Sequence, residues 1–126
     1  MTDEKEPSGM QPKEERVIPP RQAGGPFVIV LDEGHEYEIE CGVKERQRIK
    51  FQKGPTKECG VNGVQCDEVL RILIDRIVFL NDIQENGKYR NRYNSITITK
   101  LEEALWAMEE RTKKRLARKI EGTSLP

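Results

Sequence analysis

The sequence predicts an α+β protein, a small antiparallel β-sheet followed by a two-helix antiparallel hairpin, assembled as an oligomer. Three observations predict it. Short β-branched or alternating runs bounded by glycine and proline lie between about 27 and 64. Two long stretches with helical periodicity follow, over about 66–120, joined by a polar segment that holds Asn86-Gly87. The first of these helices is apolar almost all round, which one small sheet and one partner helix can hardly cover. The second cover is therefore expected from another subunit.

Residues 1–25 are polar, broken by proline and glycine and nearly free of aliphatic side chains, and read as a disordered arm. Residues 26–126 then form one sheet-plus-hairpin ligand-binding domain of about a hundred residues, only marginally stable alone. Phe27-Val28-Ile29-Val30-Leu31 is a β-branched strand, and Glu33-Gly34 marks the turn after it. From His35 to Cys41 the pattern alternates strictly, with Tyr37, Ile39 and Cys41 on one face. Gly42 breaks that strand. Arg48 to Gln52 alternates again, with Ile49 and Phe51 inward, and Lys53-Gly54-Pro55 closes it. Such strands make an antiparallel sheet with one wet face. Gly60 to Val64 is either a loop or a short further strand around Asn62-Gly63.

The first helix runs from Asp67 to about Ile83, with Asp67 and Glu68 in its first turn complementing the dipole. Only Arg71, Asp75 and Arg76 are left mainly for water. Gln84 to Tyr93 reverses the chain. The second helix reaches Lys119 from a start at about Ser95 or Thr99. Thr99 with Glu102 has capping-box spacing, while Asn94 or Ser95 suits an earlier start. Leu101, Ala104, Leu105, Met108 and Thr112 form its inner stripe, Trp106 sits at a core edge or an intersubunit contact, and Gly122 is the stop.

Lys and Arg number 22, as do Asp and Glu, so the chain is formally neutral. Much of the positive charge nevertheless gathers at the two ends of the second helix. Lys88 to Asn94 interleaves cations, aromatics and amides, and Arg111 to Lys119 is strongly basic. Cations in a last helical turn often do no more than offset the dipole. Here Arg111, Arg115 and Arg118 also fall on one face, where they can meet one anion. Rings beside cations suit a nucleotide.

No chemistry beyond binding is visible. His35 is the only histidine and has no serine or cysteine partner, so a catalytic triad is unsupported. The three cysteines, Cys41, Cys59 and Cys66, lack zinc-ligand spacing and read as reduced, partly buried thiols. No phosphate-cradling glycine motif is present, and neither a membrane span nor a signal-peptide core is seen. A non-enzymatic protein without cofactor or metal is expected, in the cytoplasm. Neutrality argues only mildly against nucleic acid, so a small nucleic-acid-binding regulatory protein is the alternative and a pure scaffold a third reading.

Several runs together carry a resemblance: Val69-Leu70, Leu73-Ile74-Asp75-Arg76, Phe79-Leu80-Asn81, Arg92, Asn94-Ser95, Ile98 to Trp106, Arg111-Thr112 and Glu121-Gly122-Thr123. Over roughly 35–123 the chain resembles small phage proteins of the first Thoeris anti-defence family, whose hairpin is shared with the second anti-CBASS sponge family. The resemblance implies a sponge in the infected bacterium's cytoplasm. Such a protein holds cyclic ADP-ribose isomers without cleaving them and assembles as a homodimer or hexamer; some members also hold cyclic di- or trinucleotides at a separate site. Carried over by motif, Phe79 and Arg111 sandwich the adenine, Asn94 lies nearby, and Arg92 with Arg115 or Arg118 meets the pyrophosphate. Three features depart from the family pattern: the long 82–93 loop, Tyr93 in place of an acidic residue, and Gln65-Cys66 at the first helix's start.

Overall fold

The computed structural model describes residues 16–40, 42 and 44–126. The chain divides into two compact units, residues 1–50 and 51–126.

The first unit is a four-stranded antiparallel meander of β1 (Arg16–Ile18), β2 (Phe27–Asp32), β3 (Glu36–Glu40) and β4 (Gln47–Lys50), in that order. β1 lies inside the stretch expected as a disordered arm. Val17 and Ile18 give it β-branched pairing residues, and it aligns Val17 with Ile29 and Ile18 with Val28. Arg16 reinforces the pairing by donating from Nε to Glu33 Oε2 at 2.8 Å. The rest of that arm lies outside the described residues.

The alternation expected for β3 is observed. Val30 faces Tyr37, and Tyr37 faces Ile49, so the apolar side chains share one side of the pleat. Cys41, expected on that face, lies outside the described residues. The opposite side carries an ion-pair ladder. Arg48 donates to Glu38 at 2.8 Å and to Glu36 at 3.2 Å, and Arg46 donates to Glu38 at 3.1 Å and to Glu40 at 2.9 Å. Hydrogen bonds from Arg48 and then Arg46 hold the Glu38 carboxyl below its ordinary value of 4.5. A carboxyl depressed in the folded state adds stability at neutral pH that disappears once it is protonated. Acid titration followed by circular dichroism should show stability falling as pH drops below 4.5 and through Glu38's own lower value. Glu38→Gln should flatten that fall, and an unchanged profile would remove the ladder from the account.

The second unit begins at Phe51, which forms an isolated parallel bridge with Val64. Between them lies α1 (Thr56–Cys59), a turn of helix not expected from the sequence, ahead of the Gly60–Val64 segment expected as a loop or short strand. Asn62 fastens this loop, accepting from the Lys53 amide at 2.8 Å and donating to the Lys53 carbonyl at 2.8 Å. Gly63 is required at its closure, because a Cβ there would stand 2.5 Å from the Phe51 carbonyl carbon.

The hairpin follows: α2 (Cys66–Val78), a π-helical turn over Phe79–Ile83, a 3-10 turn over Gln84–Gly87 and α3 (Arg92–Ala117). Glu68 starts α2 by accepting from the Gln65 amide at 2.8 Å, half of a capping box. α3 begins earlier than expected. Its cap is Asn91, whose Oδ1 accepts from the Asn94 amide at 2.8 Å. The β-branched run at 96–99 is carried inside the helix, and Thr97 places its hydroxyl on the Tyr93 carbonyl at 2.8 Å. Arg92, Tyr93 and Asn94 therefore stand on the first helical turn rather than in a loop.

Asn81 joins the two helices. It is 3% exposed; its Oδ1 accepts from the Asn91 amide at 3.0 Å, and its Nδ2 reaches Ser95 Oγ at 3.4 Å. Asn81→Ala would leave that amide unpaired and is expected to cost about 1 to 3 kcal/mol, measured by urea unfolding. Leucine at 81 should be no better tolerated, since the loss is of hydrogen bonds and not of volume.

Few apolar side chains of the hairpin are well covered. Ile72 is 66% exposed and Trp106 63%, and no residue of α2 is fully buried. The expected excess of apolar surface on the first helix is present in the chain.

Candidate functional site

Two facts place the candidate residues: α2 and α3 are antiparallel, and α3 is 26 residues long. Phe79, Arg92 and Asn94 lie at the turn end of the hairpin, where Asn81 accepts from the amide of Asn91, the cap of the second helix. Arg111, Arg115 and Arg118 lie at the open end. The rise of a helix puts Arg111 about 28 Å from Arg92 along the axis. One copy of the chain therefore holds these six residues as two clusters.

At the turn end, Phe79 begins the π-helical turn and remains 42% exposed. Turns of this kind re-aim the side chains that follow them and recur at functional sites. Sequence periodicity does not reveal such a turn, because an ordinary α-helix explains the same pattern. Arg92 is exposed and makes no ion pair with the described residues. Its neighbour Arg90 is occupied, donating from Nε to Asp82 at 3.1 Å, which folds the long loop back on the end of the first helix. Tyr93 and Tyr89 are exposed, and Lys88 stands 5.6 Å from the Tyr89 ring centroid.

At the open end, a groove of about 560 Å³ runs between the start of α2 and the last turns of α3. Arg111, Thr112, Gln65, Cys66 and Glu121 are among its lining residues. Arg111 is exposed and, like Arg92, has no ion-pair partner among the described residues. Cys66 and Cys59 are exposed free thiols, where partly buried ones were expected.

Arg115 does not stand free beside Arg111. Its side chain is 10% exposed, and its guanidinium is filled. Nε donates to Glu121 at 2.7 Å, Nη1 to the Leu125 carbonyl at 2.7 Å, and Nη2 to the Ile120 and Thr123 carbonyls at 3.0 Å. Arg118 Nη1 donates to the Pro126 carbonyl at 3.0 Å. The convergence of three arginines suggested by their spacing is thus replaced. Arg115 turns inward to hold the last residues of the chain, and of the three only Arg111 keeps an unoccupied guanidinium.

The segment that Arg115 holds was missed as a part of the site. Lys57 donates its amide to the Gly122 carbonyl at 2.9 Å, which docks the segment on α1. Gly122 has φ 83°, and a Cβ there would lie 2.9 Å from Lys57 Cγ, so this docking needs glycine. Glu121-Gly122-Thr123 is its visible signature in the sequence, a helix stop followed by polar residues.

Among the described residues no group of histidine, cysteine and carboxylate side chains is arranged to hold a metal ion, and no helix is long and apolar enough to cross a membrane. Fold and site together describe a class: a sheet-plus-hairpin protein that leaves Arg92 and Arg111 without ion pairs among the described residues and keeps several rings exposed. The sequence model of the Acb2/Tad1 hairpin domain matches residues 43–113, more than half of the chain, and the protein belongs to that family. It is also 39% identical over 75 residues to Thoeris anti-defense 1 of Bacillus phage SBSphiJ7, a match covering 60% of this chain and 50% of that one. The chain spans about half the length of this curated relative.

Proposed function

We infer that the protein is an anti-Thoeris sponge that binds a cyclic ADP-ribose isomer and holds it without chemical change. The observation that carries this reading is the pair of exposed, unneutralised arginines, Arg92 and Arg111, each beside apolar or aromatic surface at opposite ends of the hairpin. The name of the relative, Thoeris anti-defense 1, supports the biological setting. Phe79 and Arg111 stack on the adenine, Asn94 donates to or accepts from its edge, and Arg92 meets the pyrophosphate. Arg118 adds long-range attraction, while Arg115 acts on the ligand only through the segment it anchors.

The 28 Å along α3 between the two clusters is far more than one adenine nucleotide spans. A complete site therefore forms between copies of the chain, the turn end of one meeting the open end of another. The exposed apolar surface around Ile72 and Trp106 supports assembly into a dimer or a larger closed oligomer. Cyclic oligonucleotides at a separate site remain an additional partner class of this reading.

The test is thermal unfolding with cyclic ADP-ribose isomers, cyclic di- and trinucleotides and a short DNA duplex. A ligand at a hundredfold excess over its Kd adds about 2.7 kcal/mol to stability. One cyclic ADP-ribose isomer should raise Tm, be recovered intact on denaturation and show a shallow salt dependence. Stabilisation by duplex alone, with an affinity falling steeply as salt rises, would replace the sponge with a nucleic-acid-binding protein.

A further inference from the structure

We propose that Glu121 is a specificity-determining residue of the open-end groove and accepts a hydrogen bond from a hydroxyl of a ribose. This rests on the sponge reading and adds to it a contact for the sugar.

Three observations converge on Glu121. It lines the same groove as Arg111 and Thr112. One carboxylate oxygen is fixed by Arg115 Nε at 2.7 Å, while the other has no partner among the described residues. The side chain is 32% exposed, against 10% for Arg115, so the pair presents its acidic partner to the groove and keeps the cation behind it.

The orientation of this carboxylate is built in. Arg115 grips the backbone on both sides of Glu121 through the Ile120 and Thr123 carbonyls, and Lys57 holds the Gly122 carbonyl at 2.9 Å. The result is a preorganised acceptor, which loses little entropy on binding.

The chemistry of the acceptor selects what it meets. An ionised carboxylate has no proton to donate and repels phosphate, so the pyrophosphate is directed away from it. A ribose hydroxyl left free by the ring closure is a neutral donor, and a fixed carboxylate is a recurrent means of reading one. Arg115 follows Arg111 by one helical turn, about 6 Å along the axis, and Arg111 and Glu121 line one groove, so a base stacked on Arg111 can offer its sugar to Glu121. Arg115 is a positioning residue in this arrangement, acting through Glu121.

The test compares the full-length protein with Glu121→Gln, by calorimetry, on the cyclic ADP-ribose isomer that stabilises it and on that isomer's deoxyribose analogue. Hydrogen bonds to a charged group predict about a 10- to 100-fold weaker affinity of the natural protein for the deoxy analogue. Glu121→Gln should lose a similar factor on the parent ligand and little more on the analogue, because the two changes remove one interaction. The natural protein's own preference reads the contact independently of whether the variant folds. Equal affinity of the natural protein for both ligands, or an undiminished preference in Glu121→Gln, would overturn the assignment of Glu121 alone. Failure of the natural protein to bind any cyclic nucleotide would overturn the sponge reading and this contact with it.

Discussion

Arg115→Ala is expected to lower the stability of the hairpin unit by about 3 kcal/mol, the largest effect of any single substitution in α3. The side chain is 10% exposed and satisfies one carboxylate and three carbonyls of the last residues of the chain. Removing it strands those acceptors. Because Glu121 remains 32% exposed, water recovers part of its loss, which keeps the figure below that of a fully buried pair. For a chain of this size the change corresponds to about a 10 °C fall in Tm. Lysine should rescue little, since a compact ammonium does not reproduce the planar fork that reaches four acceptors. A loss of under about 1 kcal/mol in urea unfolding would reduce Arg115 to a surface cation.

Arg111→Ala carries the opposite signature, a loss of binding with stability retained. Arg111 is exposed and has no ion-pair partner among the described residues, so the folded chain loses only a solvated side chain. Stacking of a base on a guanidinium or an aromatic plane is worth about 1 to 3 kcal/mol, so affinity should fall about 10- to 100-fold. Phe79→Ala should fall by a similar factor, with some loss of stability because the ring is only 42% exposed. The two residues lie at opposite ends of one hairpin, so mixing the two variants gives a further expectation. If the site forms between copies, mixed assemblies should regain a share of intact sites and bind better than either variant alone. Absence of any recovery in mixtures that demonstrably exchange subunits would place the whole site within one chain. Phe79→Ala with unchanged affinity and unchanged assembly would remove it from the site.

The pairing of charge and fold explains why these two arginines, four residues apart on one helix face, differ so much. Along the helix itself, both are cations near its C-terminal end. The chain then reverses at Lys119, which has φ 59°, and returns carbonyls toward the helix. Arg115 is within reach of them and Arg111 is not.

Much of the fold was legible in sequence. Strict alternation over His35–Cys41 placed Tyr37 and Ile39 together because a strand has a period of two residues. Long helical periodicity placed the hairpin because two amphipathic helices joined by a short polar reversal pack antiparallel. The quoted runs from Val69 to Thr123 sufficed to recognise the family, since they hold both the packing stripe and the polar residues at the turn. Tertiary structure decided the rest. Periodicity cannot distinguish Asn91 from Asn94 or Ser95 as the cap of α3, because any of them supplies the acceptor; the hydrogen bond from the Asn91 amide to the buried Asn81 selects the first. Nor does a one-dimensional pattern show β1, whose two β-branched residues become a strand only through the β2 edge that receives them. What the sequence by itself determined was the order of sheet then hairpin and the two ends at which cations and rings collect, because these follow from local period and composition, while the family was legible through the resemblance of the quoted runs. Which of those cations stay free was a tertiary decision, since it depends on carbonyls and a carboxylate that the folded chain brings to Arg115 and keeps from Arg111.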